Sequence, residues 1–138
     1  SNKFSIDCFA DDSGLEIEAL NGDPGVFSAR YAGTPKNDLN NIRKVLKLIS
    51  KKRNKKAQFR TVIALKTKYI SKTFEGILKG TISKEIIGSN GFGYDPIFIP
   101  NGSSTTLGEF KSSMKNMISH RSIAVNKLIN FLNSNKIV

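Results

Sequence analysis

Two neighbouring carboxylates stand near the start of the chain, within residues 10–14 (Ala-Asp-Asp-Ser-Gly). Aspartate oxygens suit Mg²⁺, which usually takes one or two carboxylates and completes its shell with substrate phosphates. We expect residues 6–11 to form a strand that ends in these acids, and residues 12–14 to form a turn that directs one carboxylate into a cleft. The same residues could form a turn that binds no ligand, and the pattern by itself favours neither interpretation.

A second candidate is the loop over residues 91–96, with the sequence Gly-Phe-Gly-Tyr-Asp-Pro. Its two glycines let the backbone approach a flat ligand closely, and Phe92 or Tyr94 could stack on a nucleobase. Asp95 could bind the donors of a ligand or orient a neighbouring side chain. A tight loop whose aromatic rings fill the core would have the same composition, and taken alone this loop favours that structural role.

A third candidate is the cationic segment 115–121. Ser119 is a suitable N-cap for a last helix, so His120 and Arg121 fall in its first turn, where cations oppose the helix macrodipole. Their position becomes favourable if an anion or an electron-rich carbonyl docks there. Lys115 precedes the helix and can reach the same cleft. His120, the single histidine, could instead serve only in capping or packing.

The elements that must position these groups follow from hydrophobic periodicity. We expect a second strand over residues 15–20, an amphipathic helix from 37 to about 52, an antiparallel hairpin of strands 58–66 and 73–78, and a short strand over 97–99. The inner helix faces comprise Leu39, Ile42, Val45, Leu46 and Ile49, and later Val125, Leu128, Ile129 and Leu132. This order predicts an α/β fold with a mixed β-sheet and flanking helices.

Length and charge restrict the class of protein. The chain has 138 residues, one domain's worth, so residues 1–138 are expected to form a single domain. It has no apolar run long enough to span a membrane and no signal-peptide pattern, and its one cysteine excludes a disulfide framework, so we expect a cytoplasmic protein without a membrane partner. The net charge is +11, and residues 36–60 hold ten basic side chains and one acid. This stretch is most simply a solvated face, and a nucleic-acid surface is the alternative.

Four motifs together resemble the inosine triphosphate pyrophosphatase family. They are residues 10–15 (Ala-Asp-Asp-Ser-Gly-Leu), 25–31 (Gly-Val-Phe-Ser-Ala-Arg-Tyr), 91–98 (Gly-Phe-Gly-Tyr-Asp-Pro-Ile-Phe) and 115–121 (Lys-Asn-Met-Ile-Ser-His-Arg), in the family's order. The resemblance implies an elongated α/β enzyme that hydrolyses nonstandard purine nucleoside triphosphates (ITP, dITP and XTP) to the monophosphate and pyrophosphate. It also implies Mg²⁺ as cofactor, a homodimer, and no stable complex with nucleic acid.

The resemblance assigns roles position by position. Asp12 matches the general base and metal ligand, and Asp11 is a second candidate ligand. The residues that match substrate contacts are Ser13, Phe92, Gly93, Tyr94, Asp95, Lys115, His120 and Arg121. Phe92 is expected against the base, while Lys115, His120 and Arg121 are expected at the base and the phosphates.

The chain departs from the family pattern in one respect. Family members open with a strand and a Thr-Gly-Asn-x-x-Lys phosphate loop, and a later Glu-Asn pair on a helix supplies another acid near the metal. Neither motif stands in this sequence. The resemblance therefore implies that residues 1–138 correspond to the C-terminal two-thirds of such an enzyme, with its N-terminal portion missing, and that this chain alone hydrolyses ITP poorly.

The choice of base follows from hydrogen-bond chemistry. Inosine and xanthosine carry an oxygen acceptor at purine position 6, where adenine carries an amino donor. A cationic donor such as Arg121 would satisfy the oxygen and reject the amino group. Two hypotheses compete with the enzyme: a basic nucleic-acid-binding module without catalysis, and an interaction domain in which the acidic turn only caps a strand.

Overall fold

Over residues 8–134, four strands form one antiparallel sheet in which strands that follow one another in the chain are neighbours. The computed structural model describes residues 8–134. Its strands are β1 (Cys8–Ile17), β2 (Lys56–Lys66), β3 (Ser71–Ile82) and β4 (Phe98–Pro100). The α/β class is confirmed, and all pairings between the described strands are antiparallel where the sequence predicts a mixed sheet.

Within the described residues, three α-helices flank the sheet: α1 (Asp38–Ile49), α2 (Ser112–Ile118) and α3 (His120–Ser134). Side-chain caps fix two of their starts. The Asn37 side chain accepts the Asn40 N–H at 2.9 Å, and the Ser119 hydroxyl accepts the Ser122 N–H at 3.1 Å. The predicted helix start after Ser119 is therefore confirmed. Among the described helices, none has both the length and the apolar character needed to cross a membrane.

Both buried clusters lie on the same side of the sheet, under different helices. One joins β1, α1 and the segment that leads into β4, with Leu15, Val45 and Phe98 fully buried. The other packs α3 on β2 and β3 through Ala124 and Leu128. The predicted inner faces are correct except at Leu39 and Ile129, which are 43% and 45% exposed.

The close approach of α3 to the sheet depends on Gly76 in β3. A Cβ atom at this position would lie 1.9 Å from the His120 carbonyl oxygen, so only glycine lets the first turn of α3 rest directly on the strand. Gly76 thereby determines where His120 sits.

The expected turn at residues 12–14 is wrong. The strand β1 runs unbroken from Cys8 to Ile17, pairing Asp12 with Val62 and Gly14 with Arg60, and it replaces the two predicted strands over 6–11 and 15–20. Residues 6 and 7 lie outside the described part of the chain. Gly14 serves a close contact: its Cβ would lie 2.4 Å from the Gly25 carbonyl oxygen.

Candidate functional site

A cleft opens where β1 and β2 meet the start of α1, the loop over residues 91–95 and the junction of α2 with α3. We call residues 91–95 the aromatic loop. Seven of the nine predicted site residues line this cleft, and they are Ser13, Phe92, Gly93, Tyr94, Asp95, Lys115 and His120. Residues from these segments and from the turn Gly25–Arg30 thus converge on one concave surface, as a small-molecule site requires.

A buried ion pair forms the floor beside the aromatic loop. The Lys115 ammonium lies 2.5 Å from Asp95 Oδ2, and the two side chains are only 14% and 5% exposed. The same oxygen accepts the Phe92 N–H at 3.0 Å. The Lys115 Nζ also lies 4.2 Å from the centre of the Phe92 ring, whose residue is 72% exposed. An exposed ring over a paired cation offers a flat ligand both stacking and a hydrogen-bond donor.

His120 faces the cleft as a neutral imidazole. Its ring stacks on Phe59 with centroids 4.9 Å apart and an interplanar angle of 17°. Burial, followed by the nearby charges of Lys115 and Arg121, lowers the pKa of His120 to about 4. Its Nδ1 atom is buried and, among the described residues, has no hydrogen-bond partner. The imidazole that lines the cleft is therefore uncharged at neutral pH.

Asp12 lies on the other face of β1. Side chains alternate along a strand, so Asp12 points away from Ser13 and Asp11. It lines a second depression together with Gly25, Val26, Arg60 and Val62. This depression and the cleft share Ser13 and Gly14. The proposed base and metal ligand is thus adjacent to the cleft but outside it.

Arg121 is the other predicted site residue outside the cleft lining. Its guanidinium lies 2.8 Å from Asp11 Oδ2, and the two side chains are 65% and 32% exposed. Because Asp11 shares its strand face with Ser13, this pair sits beside the cleft at the start of α3. Asp11 is engaged by a cation, while Asp12 has no ion-pair partner among the described residues.

Sequence reasoning missed three polar residues that hold the cleft together. Ser28 and Asn41 are buried, and Asp38 is the first residue of α1; all three line the cleft. The signal for Asn41 was a polar residue on the apolar helix face that carries Ile42 and Val45. Ser28 stood inside a recognised motif with no role attached, and nothing local to Asp38 distinguished it from any helix-starting acid.

The basic stretch over residues 36–60 does not converge on the cleft. Only Lys36 of its basic residues lines it. Most of the others are exposed on α1 and the connection before β2, and Arg60 pairs with Glu75 at 2.6 Å. This distribution is typical of a solvated face.

Comparison with known proteins gives one family. The model described as the Ham1 family matches residues 2–131. A protein of Flavobacterium johnsoniae called dITP/XTP pyrophosphatase is 48% identical over 99% of this chain and 71% of its own length. A protein of Porphyromonas gingivalis with the same name is 51% identical over 94% of this chain and 68% of its own.

Solved structures agree with the sequence relatives. The Staphylococcus aureus Ham1 protein superimposes with a TM-score of 0.95 at 41% identity, over 98% of this chain and 71% of that one. A HAM1 protein from Coxiella burnetii gives a TM-score of 0.89 at 41% identity, over 94% of this chain and 68% of that one. The arrangement of strands and helices that builds the cleft is therefore shared with these structures.

Proposed function

The chain belongs to the Ham1 family, and we propose that it hydrolyses nonstandard purine nucleoside triphosphates (dITP, XTP and ITP) to the monophosphate and pyrophosphate. The observation that carries this proposal is the convergence of Phe92, the Asp95–Lys115 pair and His120 on one cleft. Relatives that match nearly the whole chain bear the name dITP/XTP pyrophosphatase, which supports the same activity.

The cleft suits a purine with an oxygen at position 6. Phe92 offers a ring for stacking, and Lys115 offers a cationic donor to a carbonyl oxygen. The amino group of adenine would face that donor without an acceptor, which disfavours its binding. Arg121 is exposed at the start of α3 and would supply a further donor when a nucleotide draws it from Asp11.

The donor set fits a Mg²⁺ ion that arrives with the triphosphate. Over residues 8–134, no group of three or more His, Cys, Asp and Glu side chains could hold a metal by itself. Asp12 offers one exposed carboxylate, and Mg²⁺ commonly binds through one or two carboxylates plus substrate phosphates. When bound, the ion neutralises phosphate charge and favours the departure of pyrophosphate.

Asp12 would act as the general base of the reaction. Its carboxylate accepts a proton from the attacking water, whose oxygen forms a bond to the α-phosphorus. The bond from that phosphorus to the bridging oxygen breaks, and pyrophosphate leaves with the electron pair. Because the cleft and the depression beside Asp12 share Ser13 and Gly14, one nucleotide could place its base in the first and its phosphates at the second.

The resemblance supports two finer points, a homodimer and the absence of a stable nucleic-acid complex, while the single cysteine supports a cytoplasmic location. Light scattering on the purified chain would measure its assembly. Titration with a labelled DNA or RNA oligonucleotide at physiological salt should show no tight complex, since the basic residues of 36–60 are spread over an exposed face.

One experiment tests the activity. Pyrophosphate release is measured for dITP, XTP, ITP and ATP with and without Mg²⁺, and binding of dIMP and dAMP is measured by calorimetry. We expect release to require Mg²⁺ and to favour the oxo-purines, and dIMP to bind more tightly than dAMP. The ratio between bases decides the outcome rather than the absolute rate. The proposal would be contradicted if the oxo-purine triphosphates were hydrolysed no faster than ATP and dIMP bound no more tightly than dAMP.

A further inference from the structure

The aromatic loop is fastened to the rest of the molecule through Tyr94. The Tyr94 hydroxyl donates to the Ser28 carbonyl oxygen at 2.6 Å, and the residue is 5% exposed. Burial, followed by nearby Tyr31 and Asp38, raises the pKa of this hydroxyl, so it remains a donor across the working range of pH. Its ring packs in the main hydrophobic cluster. A ring held in the core cannot also serve as an open stacking surface for a base.

Ser28 is itself hydrogen-bonded to β1. Its hydroxyl accepts the Leu15 N–H at 2.9 Å and donates to the Gly25 carbonyl at 2.6 Å. Gly14 allows the turn Gly25–Arg30 to lie this close to the strand, since any larger side chain there would collide with the Gly25 carbonyl. Ser28 thus joins two hydrogen bonds, one from β1 to its hydroxyl and one from the aromatic loop to its backbone carbonyl.

The start of α1 supplies a second attachment. Asp38 Oδ2 accepts the Gly93 N–H at 3.0 Å. One turn later, the Asn41 side chain donates to the Ala29 carbonyl at 2.9 Å and accepts the Ala32 N–H at 2.8 Å. The first turn of α1 therefore holds the aromatic loop and the turn Gly25–Arg30 in one frame.

The aromatic loop needs such external support because of its own composition. Gly91 and Gly93 adopt positive φ angles of 76° and 59°, which make the turn possible, but glycine loses more conformational freedom on folding than any other residue. A misplacement of about 1 Å at a binding group can cost about a hundredfold in rate. Contacts that hold Phe92 and the Asp95–Lys115 pair at a constant position relative to β1 should therefore favour binding and catalysis.

We propose that Tyr94, Ser28 and Asp38 are positioning residues for base selectivity: they hold the aromatic loop at a set distance from β1 and act on the base through Phe92 and the Asp95–Lys115 pair. The inference rests on the proposed function for its substrate. It assigns Tyr94 a different role from the direct substrate contact that the resemblance implies, and it brings in Ser28 and Asp38, which the motifs did not assign.

The test compares variants that each remove one attachment. Tyr94→Phe removes the hydroxyl and keeps the ring, and Asp38→Ala removes the acceptor for Gly93. Asp38→Asn keeps an oxygen that can accept the same N–H and serves as the conservative rescue. Ser83→Ala is the matched control, because Ser83 is a buried residue whose hydroxyl donates to the Glu85 carbonyl at 2.7 Å away from the cleft.

Two readouts are taken on each variant. The first is the ratio of kcat/KM for dITP to that for dATP, with the corresponding ratio of dissociation constants for dIMP and dAMP. The second is amide hydrogen exchange at Phe92 and Gly93. We expect Tyr94→Phe and Asp38→Ala to lower the selectivity about tenfold and to speed this exchange about tenfold, equivalent to one lost hydrogen bond of about 1.4 kcal/mol. Asp38→Asn and Ser83→Ala should retain both properties.

The two readouts separate this inference from the proposed function. If the unaltered chain does not prefer dIMP to dAMP, the proposed function fails, and amide exchange still decides whether the loop is held as described. Unchanged exchange at Gly93 in both Tyr94→Phe and Asp38→Ala would overturn the positioning role. The positioning role would also be overturned if the unaltered chain prefers dIMP to dAMP and the two variants show faster exchange but keep that preference. Equal loss of selectivity in Ser83→Ala would reduce the effect to general stability and would also overturn it.

Discussion

The two ends of the candidate site are built in opposite ways. At the aromatic loop, the Asp95–Lys115 pair is 5% and 14% exposed, and the loop backbone is bonded to Asp38 and, through Tyr94, to Ser28. At the acidic end of the site, in the middle of β1, the Asp11–Arg121 pair is 32% and 65% exposed. Asp12 beside it is exposed and has no ion-pair partner in the described chain.

This contrast separates groups that serve the fold from groups that serve only the ligand. A charge buried in a pair becomes very unfavourable when its partner is removed, whereas an exposed charge is stabilised by water in either case. Changes at the aromatic loop should therefore lower the free energy of unfolding together with selectivity. Changes at the acidic end should lower catalysis and leave the fold intact.

The largest effect is expected at Asp12. Asp12→Asn removes the proposed base and one metal-ligand charge with little change in volume. We expect the rate of pyrophosphate release from dITP to fall at least about a hundredfold, and the Mg²⁺-dependent part of dITP binding to be lost. The free energy of unfolding, measured by thermal denaturation, should change by less than about 0.5 kcal/mol. Asp23→Asn is the matched control, since Asp23 is an exposed acid that lines neither the cleft nor the depression beside Asp12. A loss under about threefold would contradict the role.

The ion pairs give the next largest effect and the most direct test of the contrast. Lys115→Met should lower the free energy of unfolding by about 3 kcal/mol, because Asp95 would remain buried without its cation. Arg121→Met, at the exposed pair, should lower it by less than about 1 kcal/mol. Chemical denaturation at neutral pH measures both. Similar losses for the two variants would show that the two ends do not differ in the way the structure indicates.

His120 links stability to pH. Its pKa of about 4 in the folded chain lies below the ordinary 6.5, so the unfolded chain binds more protons between these values and stability falls as pH drops through that window. The linkage between proton binding and folding lowers the free energy of unfolding by about 2 kcal/mol at pH 5 relative to pH 8. His120→Gln should remove this component, and because the chain has one histidine, no other imidazole contributes. An unchanged difference between the two pH values would contradict a buried neutral His120.

Local patterns predicted much of this architecture. The apolar periodicity of residues 39–49 found α1, the two β-rich segments found the hairpin of β2 and β3, and Ser119 located the start of α3. These elements are decided by spacing and capping within a few residues. The short helix α2 was missed because it has no buried residues, so no apolar period marks it.

The errors lie where distant residues decide the local structure. The residues 12–14 are typical of a turn, yet Gly14 continues β1, where it pairs with Arg60 and lets the Gly25 carbonyl pack against it. Tyr94 could be read as a stacking ring until its bond to Ser28, 66 residues earlier, is known. Contacts between residues so far apart in the sequence leave no periodic pattern in either segment. The candidate site residues could therefore be predicted from the sequence, but the hydrogen bonds that position them could not.

The smallest effect is expected at Arg121, which we propose reads the base at the exposed end of the site rather than supporting the fold. Arg121→Ala should narrow the advantage of dITP over dATP by about threefold to tenfold, equivalent to one partly exposed charge-assisted hydrogen bond to the oxygen at purine position 6. Lys127→Ala is the matched control, since Lys127 lies on the same helix and donates to the Glu75 carbonyl instead. Both variants are measured with both substrates at equal Mg²⁺. If Arg121→Ala weakens both nucleotides equally, Arg121 acts on phosphate charge, and base selectivity belongs to the buried pair at the aromatic loop.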